Sequence, residues 1–71
     1  MTHYFFHAQY RGARATDDIG EAFPTVGEAE AHAAVVAHEL GRNESQPVTV
    51  YVYTEDGKLI ATKAAPTGWS A

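Results

Sequence analysis

A chain of 71 residues supports one domain, and at this size only about 60% of the unfolded surface is buried on folding, so the interior is thin. Five Lys and Arg against nine Asp and Glu leave a net charge of −4, which disfavours nucleic acid as a partner because its binding rests on neutralising phosphates. The sequence has no Cys, excluding a disulfide framework, a thiolate zinc site, a Cys nucleophile and an iron–sulfur cluster.

The first element in chain order is a strand, His3 to Tyr10, rich in aromatics and ended by Arg11-Gly12, where glycine can take the positive φ of a tight turn. Its alternation sets Tyr4, Phe6, Ala8 and Tyr10 on one side and His3, Phe5, His7 and Gln9 on the other. Both sides carry aromatics, so the pattern leaves open which of them faces the core. Ala13 to Thr16 reads as a short returning strand, followed by a turn at Asp17-Asp18-Ile19-Gly20, in which Asp bonds its own backbone and Gly closes the bend.

Thr25-Val26-Gly27-Glu28 has the spacing of a capping box, with the Thr hydroxyl accepting from the Glu28 amide and the Glu carboxylate reaching back to the Thr amide. It predicts a helix over about 25–40. Ala29, Ala33, Val36, Ala37 and Leu40 recur at steps of three and four to form one apolar stripe, and Gly41 serves as the expected stop. After a polar connection, Val48 to Thr54 alternates strictly: Val48, Val50 and Val52 on one side, Thr49, Tyr51 and Tyr53 on the other. Glu55-Asp56-Gly57 is a hairpin loop that returns through Lys58 to Lys63. The expectation is therefore a single α+β domain over 1–63, ordered ββαββ, with a three- to four-stranded antiparallel sheet and one helix on one face. Residues 64–71, including Trp69, have no period and read as a flexible tail.

One helix roofs only one side of a sheet. The valines suit the alanine-rich helix, which leaves Tyr51 and Tyr53 on the far side with one aromatic set from the first strand. Monomers seldom expose a large apolar patch, so the expected interaction surface is Phe5, His7, Tyr51 and Tyr53. The expected occupant is a second copy, making a homodimer, with another protein also a possible partner.

The alternatives carry less. His3 and His7 are about 13 Å apart on a strand at roughly 3.3 Å per residue, too far to share an ion. Glu28, His32 and Glu39 share a helix side, while His38 points elsewhere, and this is also an ordinary charged surface; no metal or cofactor is expected. Ser45 and Ser70 have no neighbouring His–Asp pattern, and the sequence has no glycine-rich phosphate loop. The expectation is a protein that is not an enzyme. No apolar run approaches the roughly 20 residues of a bilayer span, and the start lacks the pattern of a signal peptide; the expected setting is bacterial cytoplasm, with no membrane partner.

Tyr4-Phe5-Phe6, the turn at Gly12, Asp17-Asp18-x-Gly20, the helix opening Glu28-Ala29 and the turn at Asp56-Gly57 resemble a family of small bacterial domains of unknown function, over residues 1 to about 63. The resemblance implies a cytoplasmic protein and assigns no activity or functional residue. Thr25-Val26-Gly27-Glu28-Ala29 is also similar to the helix opening of HicB-type antitoxins. That similarity implies a toxin-neutralising or ligand-binding domain.

Overall fold

The computed structural model describes residues 1–44 and 47–65. Trp69, Ser45 and Ser70, and the part of the expected tail from residue 66 onward, lie outside these residues. The elements are β1 (Thr2–Tyr10), β2 (Ala13–Ala15), β3 (Glu21–Phe23), α1 (Val26–Glu44), β4 (Val48–Thr54) and β5 (Leu59–Ala65). All pairing is antiparallel, in the order β2-β1-β4-β5, and β3 also pairs with β1. The α+β class holds, with five strands among the described residues rather than three or four.

The additional strand explains how the β1 edge is used. β2 takes the end of β1 at Ala8, Gln9 and Tyr10, and β3 takes the start at Thr2, His3 and Tyr4. Neither reaches the middle of that edge, so residues 5–7 need a different backbone partner.

The β1–β4 register pairs Phe6 with Val52 and Ala8 with Val50, and on the opposite side Phe5 with Tyr53 and His7 with Tyr51. This settles which aromatic set joins the valines. Val48, Val50 and Val52 are fully buried, as are Ala29 and Ala33, while Ala37 is 1% exposed. Alanines four apart place a smooth ridge on the valines, allowing the helix axis to approach the sheet closely. The helix lies over β4 and β5. Toward β1 the layer is closed by Phe23, whose ring centroid is 5.9 Å from Phe6 and 6.4 Å from Tyr4.

At the helix start the Thr25 hydroxyl accepts from the Glu28 amide at 3.2 Å. The reciprocal bond from the Glu28 carboxylate is not made. At the other end the helix runs past its expected stop to Glu44. Gly41 is buried and continues the Ala33–Ala37 stripe; packing of that stripe outweighs the roughly 1 kcal/mol by which Gly is a poorer helix former than Ala. β5 likewise continues past Lys63 to Ala65, which is 7% exposed and paired with Val48.

Because the ridge admits only small side chains, Ala33→Leu is expected to cost about 2 kcal/mol through overpacking. Ala34→Leu, one position round on the exposed face, is expected to leave the midpoint of urea unfolding nearly unchanged. Equal midpoints for the two variants would refute the close helix–sheet approach.

Candidate functional site

The side of the sheet away from the helix is built from odd-numbered residues of β1 and β4. Phe5 lies opposite Tyr53 and His7 opposite Tyr51, so all four expected interaction residues share one face, and all are half-buried. The His7 and Tyr53 rings are 5.1 Å apart at 49°, and His3 packs on Phe5 at 5.5 Å. From β2, Arg14 extends across β1 to place its guanidinium 5.9 Å from the centre of the Tyr51 ring, a cation–π contact. Leu59, aligned with Tyr53, is 47% exposed.

The β2–β3 connection edges this face and supplies the missing partner of β1. Asp17 Oδ2 accepts from the Phe6 amide at 3.1 Å, and its Oδ1 accepts from the amides of Ile19 at 3.1 Å and Gly20 at 2.9 Å. One carboxylate thus stands in for a strand on the uncovered stretch of the edge and closes its own turn as well. Burial pushes the Asp17 carboxyl up, but the amide bonds from Gly20, Phe6 and Ile19, together with His7, outweigh it and hold the group below its ordinary value. The Asp17 amide in turn donates to His7 Nδ1 at 3.0 Å. His7 is therefore fixed in orientation, and its neutral form carries the proton on Nε2. His3 Nε2 meets the Ile19 carbonyl at 2.9 Å.

Across from this connection is the β4–β5 hairpin, where the Thr54 hydroxyl donates to the Asp56 carboxylate and Gly57, at φ 85°, completes the turn. That hydroxyl bond, with backbone bonds and Lys58, holds the exposed Asp56 carboxyl below its ordinary value. A shallow cleft of about 440 Å³ separates the two turns, with Phe5, His7 and Tyr53 in its lining and Asp17, Asp18 and Glu55 among its acidic residues. His7 Nδ1 and the Thr54 hydroxyl are both engaged in holding turns. Around them the cleft presents the rings of Phe5 and Tyr53 and the carboxylates of Asp17, Asp18 and Glu55.

The residues weighed for metal binding are dispersed. His32 packs against Phe6 at 5.0 Å and Phe23 at 5.2 Å and lies 3.6 Å from Glu21, which makes it part of the wall of the core. Among the described residues no three His, Asp or Glu side chains gather to hold an ion, and no described helix is long and apolar enough to cross a membrane. Sequence reasoning missed Arg14, Asp18 and Glu55 as members of the face. The hydropathy pattern marked the rings, but polar residues in and beside turns give no sign of which side of a sheet they will border.

Residues 3–64 match the model of a family described as Domain of unknown function (DUF6894). No curated protein and no solved structure matches the chain.

Proposed function

We propose that this chain, which belongs to the family Domain of unknown function (DUF6894), is a non-enzymatic interaction module that self-associates through the sheet face opposite its helix, in a regulatory role. The observation that carries the reading is the block of Phe5, His7, Tyr51 and Tyr53. These rings share one face and are half-buried, with no helix or strand among the described residues laid over them. Aromatic side chains held rigidly in a sheet lose little conformational entropy on docking and bury a large area, which is why they dominate association energetics.

The test is the mass in solution. At high micromolar concentration, sedimentation equilibrium is expected to give a species above the 7.7 kDa of one chain. Tyr53→Glu, which replaces a ring of the patch with a charge, is expected to weaken self-association by about tenfold or more. A strict monomer at that concentration overturns the reading.

A further inference from the structure

The charges bordering the aromatic block are unevenly placed, and their distribution selects one way for two copies to meet. Along the strands the face runs from the row Phe5–Tyr53, through His7–Tyr51, to Gln9–Thr49. At the first row stand the acidic residues of the cleft, of which Asp18 and Glu55 are exposed. At the opposite end Arg14 is aligned with Gln9 and reaches back over Tyr51. It is exposed, and no described carboxylate pairs with it.

We infer that the occupant of this face is a second copy of the chain, docked about a two-fold axis that lies between the faces and runs across the strands at the His7–Tyr51 row, so that each Arg14 enters the acidic cleft of the other. This rests on the self-association reading above and adds its geometry. Such an axis reverses the direction along the strands and preserves the direction across them. It superposes the aromatic blocks and brings the basic end of each copy over the acidic end of its partner. An axis along the strands would instead put Arg14 against Arg14 and the acidic residues against each other. Two chains of net charge −4 repel at long range, but beyond a Debye length of about 8 Å at physiological salt that repulsion is largely screened, leaving local complementarity to set the register.

The two-fold arrangement makes a prediction that a simple apolar contact does not. In Arg14→Glu, both symmetry-related contacts become acid against acid; in Glu55→Arg, both become base against base. Each variant alone is expected to self-associate on the order of tenfold more weakly than wild type. Mixed together, the two have opposite charges at both contacts, so a heterodimer is expected in native mass spectrometry, with an affinity within about threefold of the wild-type homodimer. Circular dichroism should show both variants folded, since the altered side chains are exposed. If wild type associates and Tyr53→Glu weakens it, but the charge variants associate as tightly as wild type or mix without gain, the two-fold register is overturned and the self-association reading stands. A monomeric wild type overturns both.

Discussion

Gly20→Ala is expected to destabilise the fold by about 3 kcal/mol, combining a strained backbone with a clash that cannot relax. Gly20 has φ 73°, and a Cβ built there would sit 2.7 Å from the Tyr4 carbonyl oxygen, 2.7 Å from His3 Cδ2 and 2.9 Å from Phe5 Cε2. The carbonyl belongs to the central strand, so relief requires moving either β1 or the turn away from it. For a chain of this size, with a total stability of roughly 4–10 kcal/mol, the loss is severe, and thermal unfolding should shift down by roughly 15 °C. Gly57→Ala separates the two causes. Gly57 has φ 85° but nothing within 4 Å of its added Cβ, so it should cost only the backbone term, about 1 kcal/mol. If both variants melt together, the close approach at Gly20 has no energetic weight.

The contrast also explains which parts of the molecule were readable in advance. β4 reports itself because its valines and tyrosines alternate without interruption and one side must be dry. The helix reports its inner face through Ala29, Ala33 and Ala37, but not its end, because the same Gly41 that reads as a stop is a small residue on a buried stripe. Distinguishing those roles requires knowing how far the sheet extends beneath it. β1 is aromatic on both sides, and only its register with β4 separates Phe6 from Phe5. β3 is three residues long, too short for any period to show, and exists because β1 has an edge left to pair.

The functional face was legible in its apolar part for a physical reason: half-buried rings must alternate with the core residues that anchor the same strand. Its polar part depends on loop closure. Asp17-Asp18 reads locally as a turn, which it is, yet the carboxylate that closes the turn also bonds the Phe6 amide across the sheet edge. Nothing within four residues of Asp17 specifies that second role. The same fold-back brings Asp18 opposite Glu55 and so gives the aromatic block an acidic end.

Asp17 therefore supports both the strand edge and the face, and its loss should be felt in both. Asp17→Asn is expected to cost about 2 kcal/mol at pH 7. An amide can still accept from Ile19 and Gly20 through its oxygen, but it turns an N–H donor toward the Phe6 amide, which is itself a donor. The charge also matters, with a definite sign. Because the folded-state carboxyl is held below its ordinary value of 3.8, it contributes stability that is fully present above the unfolded value and is lost as the pH falls through the lower folded value. The gap between wild type and Asp17→Asn in urea midpoint should therefore be constant near neutrality and narrow as the pH falls below about 4. In the variant the turn loses its hold on the Phe6 amide, which should strain the bond from the backbone amide of residue 17 to His7, so the His7–Tyr53 contact should loosen and the two rings lose their fixed shift difference in proton spectra. A variant as stable as wild type at pH 7, with the same decline in acid, would show that the carboxylate does not hold the edge of β1.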